Sequence, residues 1–153
     1  MSKNVIIRES KESDSQAVYG LLRVIADLHK NGRPDMFPDL VSKYTVDEVR
    51  ERLSGEDNGV FVADLEGKTV GYVFCEVIRE GTGLTLYIDD LCIDPEYRRM
   101  GIAGMLMDKT KEYAKSKNCA RLMLNVWEFN QSAIEFYEKY GFETRTRHME
   151  IKL

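Results

Sequence analysis

The sequence is poor in the residues that build stapled, metal-bound or membrane-spanning proteins. Its 153 residues include three cysteines, Cys75, Cys92 and Cys119, isolated from one another and set in apolar runs. An odd number without paired spacing excludes a disulfide framework and a zinc cluster. The cysteines read as reduced core residues of a cytoplasmic protein, and no metal is expected. No apolar run is long enough to span a bilayer, and Met1-Ser2-Lys3-Asn4-Val5 lacks the apolar stretch of a signal peptide. Positive charge is also in deficit: 22 Lys and Arg stand against 26 Asp and Glu, a net charge of -4. A protein that neutralises nucleic-acid phosphates needs the opposite balance, so neither nucleic acid nor membrane is an expected partner. Repeats and low-complexity tracts are missing too. The length suits one domain over 1–153, with enough chain to bury a core.

What is present is a regular succession of short elements. Asn4 to Glu9 reads as a strand. Ser13-Asp14-Ser15-Gln16 has the form of a capping box, opening a helix with Ala17, Leu21, Val24, Ile25 and Leu28 on one face. That helix should end near Lys30-Asn31-Gly32, where glycine can turn left-handed. Two prolines keep Arg33-Pro34-Asp35-Met36-Phe37-Pro38 irregular, and Thr45-Val46-Asp47-Glu48 caps a short helix to about Leu53. Gly59–Leu65 and Thr69–Ile78 form a hairpin about Glu66-Gly67-Lys68. Gly67-Lys68-Thr69 superficially matches a nucleotide-binding P-loop, but position 62 is Val62 and a strand follows, which excludes it. Gly81-Thr82-Gly83 turns into a strand from Leu84 to Ile93, and connections this short require antiparallel pairing. A helix then runs to about Ser116, and Arg121–Val126 returns as a parallel strand. Asn130 caps a helix over Gln131–Tyr140. Strands starting at Phe142 and covering Arg145–Lys152 complete the expected pattern.

The most informative stretch is Asp94-Pro95-Glu96-Tyr97-Arg98-Arg99-Met100-Gly101-Ile102-Ala103-Gly104. A strand, a basic glycine-bearing turn and a helix start make an anion site. The first N–H groups of a helix lack intrahelical partners, and the helix dipole puts partial positive charge there. Gly101 lets a phosphate approach those groups, and Arg98 and Arg99 add charge.

The spacing Arg98-x-x-Gly101-x-Ala103 resembles the pyrophosphate-binding signature of the GNAT acetyltransferase superfamily. Leu124-Asn125-Val126 followed by Asn130-x-x-Ala133-x-x-Phe136-Tyr137-x-x-x-Gly141-Phe142 is similar to the family's later element. The resemblance covers essentially the whole chain, least so between Lys30 and Asn58. It implies an α/β (α+β) fold: a mixed, mostly antiparallel sheet of about seven strands, the fourth and fifth splayed apart, flanked by about four helices. It also implies acetyl-CoA as cofactor and an amine as acceptor.

On that resemblance, Leu91, Cys92 and Ile93 would meet the pantetheine arm, and Arg98, Arg99, Met100, Gly101, Ile102, Ala103 and Gly104 the pyrophosphate. Asn125, Asn130, Ala133, Phe136 and Tyr137 would line the other side. Tyr137 matches the general acid that protonates the departing thiolate, and a phenol is protonated at neutral pH. Asp89 and Asp90 are out of place in the middle of an apolar strand. Simple alternation sets Tyr87, Asp89 and Leu91 on one face and Ile88, Asp90 and Cys92 on the other; the resemblance implies base or acceptor-side residues two and four positions before Leu91, hence Asp89 as base or amine anchor with Tyr87 beside it, and a bulge would favour Asp90. Both could instead bind backbone N–H groups. Met36, Phe37, Tyr87, Trp127 and Glu128 are candidates for the acceptor pocket. Asn125 stands where many peptide-acetylating members have glutamate. The expected activity is direct acetyl transfer to a primary amine of a small cationic metabolite or a peptide, with a non-catalytic acyl-CoA sensor as the alternative. A homodimer is compatible with the family.

Overall fold

A computed structural model of the chain describes residues 4–153. Its centre is a five-stranded sheet in the order β1 (Val5–Glu9), β2 (Val60–Leu65), β3 (Lys68–Glu80), β4 (Gly83–Ile93) and β5 (Arg121–Leu124). The first four strands pair antiparallel, because turns such as Glu66-Gly67 leave no room for a crossover. Both residues of that turn have positive φ, 52° and 92°, which matches the twist of the strands they join. β4 and β5 pair parallel, connected by α3 (Ile102–Ser116).

Helices cover both faces. α1 (Ser15–Gly32) and α2 (Val46–Leu53) place Val18, Leu21, Leu22, Val49 and Leu53 against Val60, Val62, Tyr72 and Phe74. On the other face α3 packs Ile102, Leu106, Met107 and Ala114 against Phe61, Ala63, Val73, Leu86 and Ile88. β2 sends alternate residues into each layer, so nearly all of it is apolar and buried. Fully burying one Leu or Val side chain contributes roughly 1.5–3 kcal/mol, so these two layers dominate the fold's stability. Among the described residues, no helix is long and apolar enough to cross a membrane.

The α+β class and the parallel fourth-to-fifth pairing match expectation, but several local readings do not. The sheet has five strands rather than about seven: β5 stops at Leu124, and Phe142 to Leu153 is not strand. A strand is stable only with a partner for its backbone groups, and this stretch has none among the described residues. Ser13 is not the N-cap of α1. A 3-10 turn, Glu12–Asp14, precedes the helix, and the buried Asp14 carboxylate accepts the Lys11 N–H at 2.7 Å, the Thr69 hydroxyl at 2.7 Å and two bonds from Arg8 at 2.9 Å. An ionised, buried acceptor with four donors outcompetes a serine hydroxyl. Gly32 is also not left-handed; it stays in α1, where its lack of a side chain serves close packing, since an added Cβ would meet the Phe129 ring at 2.4 Å. The Thr45 cap matches expectation, with its hydroxyl accepting the Glu48 N–H at 3.2 Å and Glu48 accepting the Thr45 N–H at 2.8 Å.

Candidate active site

The site is made by β4 losing one of its two neighbours. Parallel pairing with β5 runs from Thr85–Arg121 to Ile88–Leu124 and then stops, while β4 continues to Ile93 paired only to β3. The opening begins at a bulge. Phe74 pairs with Asp90 and Cys75 with Ile88, leaving Asp89 as the extra residue. The bulge reverses the alternation assumed from sequence. Leu91 and Ile93 join Leu86 and Ile88 in the α3 layer, and Cys92 packs with Tyr72 and Phe74 in the α1 layer. Asp90, between Leu91 and its bulged neighbour, therefore takes the face that carries Cys92.

The two carboxylates consequently have different surroundings. Both Asp89 oxygens are engaged: the Lys43 ammonium donates to one at 2.7 Å and the Tyr44 hydroxyl to the other at 2.6 Å. Asp89 thus ties the loop before α2 to the open half of β4. Asp90 accepts the Tyr72 hydroxyl at 2.7 Å. Burial pushes its pKa up to about 6, against Tyr72 and Lys43, which favour the charged form. Burial, with the Asp90 charge behind it, also pushes the neighbouring Cys92 thiol up to about 12.

At the end of β4 the chain makes a tight passage into α3. Asp94 accepts the Glu96 N–H at 3.0 Å and caps a 3-10 turn, Pro95–Tyr97. Arg99 and Gly101 both take left-handed conformations, φ 65° and 77°. The second requires glycine for ease, and the first is a strained non-glycine residue of the kind found at ligand clamps. No side chain caps α3 at Gly101, so the N–H groups of its first turn stay open. A Cβ built at Gly101 or Gly104 would meet nothing within 4 Å, and Arg98 and Arg99 are exposed beside them. Open donors, free space and two guanidinium groups fit the phosphate groups of a bound cofactor.

The far wall is α4 (Gln131–Tyr140). Asn130 caps it by accepting the Ala133 N–H at 3.3 Å. Phe136, Tyr137 and Phe142 form an aromatic ladder with ring centroids 5.4 Å and 5.6 Å apart. Burial, followed by the charge of Asp90 and then Cys92, pushes the Tyr137 phenol up to about 12. The Asp90 charge is thus close enough to raise the phenol's pKa. At the mouth of the opening the Asn125 amide donates to the Tyr87 hydroxyl at 3.3 Å.

A second aromatic group stands beyond the bulge. Trp127 meets Phe37 edge-on at 5.5 Å and stacks on Phe129 at 5.8 Å, with the Arg33 guanidinium 5.6 Å above its ring. His29 lies 5.6 Å from Phe37 and 6.0 Å from Phe129, and burial with the nearby Lys43 charge lowers its pKa. The structure thus gathers Phe37 and Trp127 but leaves Met36 54% exposed and Glu128 at the surface. Met100 is also largely exposed at the rim of the turn. Tyr72, Lys43, Tyr44, His29 and Phe129 escaped the sequence reading. Only the Trp127-x-Phe129 spacing carried a local signal; Tyr72, Lys43 and Tyr44 are defined by partners 18 to 46 residues away, and His29 meets Phe37 and Phe129 only in the fold.

Comparison with known proteins agrees with this geometry. The Acetyltransferase (GNAT) family profile matches residues 25–142. A thialysine N-epsilon-acetyltransferase from Bos taurus is 30% identical over 155 aligned positions, covering 93% of this chain and 86% of the relative. The Sus scrofa protein of the same name is 28% identical, covering 90% and 84%. Among solved structures, a tetramutant of the BH1408 protein from Bacillus halodurans superposes with a TM-score of 0.84 at 25% identity, over 97% of this chain and 99% of that one. The aminoglycoside N-acetyltransferase AAC(6')-Iy, crystallised with CoA, gives 0.73 at 16% identity over 100% and 97% of the chains, a likeness of fold. The family match spans most of the chain and coincides with the open strand, the phosphate turn and the α4 wall: the chain belongs to the GNAT acetyltransferase family and is an N-acetyltransferase.

Proposed function

We propose that residues 1–153 act as one domain that moves an acetyl group from acetyl-CoA directly to a primary amine on a small cationic compound or peptide. The observation that carries this reading is the open half of β4, flanked by Asp90 and Tyr137 and leading straight into the uncapped start of α3. When bound, acetyl-CoA supplies a thioester carbonyl that an uncharged amine can attack. The N–H groups of Ile102, Ala103 and Gly104, with Arg98 and Arg99, hold the pyrophosphate. The backbone of Leu91 and Ile93 offers hydrogen-bonding groups to the amide-bearing arm, and Asn130, Ala133 and Phe136 enclose it.

Asp90 is the base. With a pKa near 6 it is ionised at pH 7.5 yet basic enough to take the amine's proton, directly or through a water. Tyr137 is the acid; with a pKa near 12 it keeps its proton until a thiolate needs it. Cys92, held as a thiol by its own raised pKa, is a poor nucleophile, which supports direct transfer over an acyl-cysteine route. Asp89 positions the acceptor loop through Lys43 and Tyr44.

The acceptor enters past Tyr87 and the Trp127 group. Aromatic faces beside carboxylates favour a cationic amine over a neutral one. The thialysine acetyltransferase relatives support an amine at the end of a short aliphatic arm. The buried free thiols of Cys75 and Cys92 suit a reducing, cytoplasmic setting.

The test is a thiol-release assay with acetyl-CoA against thialysine, lysine, spermidine, aminoglycosides and peptides, with calorimetric CoA binding in parallel. Turnover on small aminoalkyl compounds is the expected result. CoA binding with turnover confined to peptides would overturn the small-amine assignment, and failure to bind CoA would overturn the reading of the α3 turn.

A further inference from the structure

Tyr72 carries a hydroxyl into an apolar layer. Its side chain is fully buried under α1, with the Phe74 ring 4.8 Å away and Val18, Leu22 and Val62 in the same cluster. A phenylalanine would fill that space as well, so the hydroxyl is the part that needs a reason. Its placement follows from the bulge. β3 and β4 register Tyr72 against Cys92 and Phe74 against Asp90, with Asp89 left over. Tyr72, Phe74, Cys92 and Asp90 therefore share one face, and the phenol stands a diagonal step from the carboxylate, within reach of an aromatic side chain. The hydroxyl donates to Asp90 Oδ2 at 2.7 Å. A fully enclosed ring is held by its packing, so this donor is in place before any ligand arrives. Burial, with the Asp90 charge after it, raises the Tyr72 pKa well above that of an ordinary phenol, so it stays a donor near neutral pH.

A buried phenol needs an acceptor, but a carboxylate is a costly one for structure alone. Asp90 is half-buried beside a second carboxylate, and replacing donor and acceptor together by apolar groups of the same shape can be nearly neutral. What the polar pair does that an apolar pair would not is act on a proton. Burial and the adjacent Asp89 oppose the Asp90 charge, while the Tyr72 hydroxyl, Lys43 from the loop before α2 and the Leu91 backbone favour it. Tyr44 from that loop, Cys92 on β4 and Tyr137 on α4 feel the Asp90 charge in turn, and His29 of α1 feels that of Lys43. Lys43 is 47% exposed and paired with Asp89, whereas Tyr72 is enclosed. The phenol is thus the partner that stays when solvent or an acceptor enters.

We propose that Tyr72 is a positioning residue for acetyl transfer, its fixed O–H holding the Asp90 carboxylate ionised and in one orientation. The proposal rests on Asp90 being the base. Tyr72 touches neither acetyl-CoA nor the acceptor in this role and acts through Asp90 alone.

Carbon-13 NMR of the full chain labelled at aspartate Cγ tests this without cofactor or acceptor, the Asp90 signal being identified by its loss in Asp90→Asn. The wild-type midpoint is expected near 6. Tyr72→Phe should move it up by about one unit, the effect of losing one hydrogen bond to a charged group. The acid limb of kcat/KM for thialysine acetylation should move with it, kcat on the alkaline plateau should fall about tenfold through lost orientation, and KM for acetyl-CoA should be unchanged. Placing 3-fluorotyrosine at position 72 alone nearly keeps the shape and makes the donor more acidic, so the midpoint should move down instead; this arm carries the test if Tyr72→Phe folds poorly. A midpoint unmoved by both replacements, with or without a loss of kcat, would make Tyr72 a packing residue and overturn the proposal, while leaving Asp90 as base where Asp90→Asn removes the acid limb. An acid limb that survives in Asp90→Asn would overturn the assignment of the base, and the role of Tyr72 with it.

Discussion

The two halves of β4 are built for different ends. Gly83 to Ile88 is paired on both sides beyond its first residues, carries no charge and buries Leu86 and Ile88 almost completely. Asp89 to Ile93 is one continuous backbone with the first half, yet has a neighbour on one side only and carries two carboxylates. The paired half contributes stability. The open half gives some of it up, since a lone backbone edge and a half-buried carboxylate both cost free energy, and it leaves a cleft in which the Asp90 pKa is raised. A single extra residue at the bulge divides them.

Substitutions in the two halves should therefore have opposite signatures. The largest effect is expected for Asp90→Asn, which keeps an acceptor for Tyr72 but removes the proposed base. Its kcat/KM at pH 7.5 should fall by about 10³-fold, within the range for lost general base catalysis. The wild-type rise in activity with pH through about 6 should vanish with it. Stability should move the other way. A carboxyl whose pKa is raised from 3.8 to about 6 holds its proton more tightly when folded, so its contribution is best below about 4 and worsens as pH climbs through 6. The Asn variant escapes that loss and should melt a few degrees higher at pH 7.5 but not at pH 4. A variant that loses both stability and activity would erase the distinction between the halves.

Leu86→Ala, in the fully buried paired half, should cost about 3 kcal/mol by urea unfolding and leave the KM for acetyl-CoA unchanged. Tyr137→Phe should lower kcat about 10²-fold with CoA affinity within twofold of wild type. Equal losses in kcat and affinity would make Tyr137 a packing residue. Gly101→Val forces a β-branched residue to φ 77°, so about 1–2 kcal/mol of stability should go, with a weaker KM for acetyl-CoA. Met36→Ala, on an exposed side chain, should change stability by less than about 0.5 kcal/mol and activity by less than twofold.

Legibility followed the range of the interactions. The Thr45 cap, the Glu66-Gly67 turn, the Asn130 cap and the uncapped glycine start of α3 were readable because each depends on neighbours within four residues. Asp89 and Asp90 were visible as misfits in an apolar strand, but which of them faces the cleft depends on how β4 registers against Phe74 and Cys75. The aromatic group about Trp127 assembles from α1, the loop after it and the stretch after β5, and no spacing within one segment foretells that meeting. The missing sixth and seventh strands are the plainest case, because Arg145–Lys152 has the composition of a strand and no strand partner among the described residues.

By itself the sequence determined most of the elements, their order and the glycine-bearing, arginine-flanked form of the α3 turn, since dihedral preference, capping and apolar periodicity are local properties of the chain. Only the tertiary structure decided where β4 and β5 part, that the bulge falls on Asp89, and that Asp90 is the half-buried carboxylate bonded to Tyr72 with Tyr137 in range of its charge. Those outcomes depend on strand register and on the dielectric made by distant residues, and neither exists until the sheet has formed and its helices have packed against it.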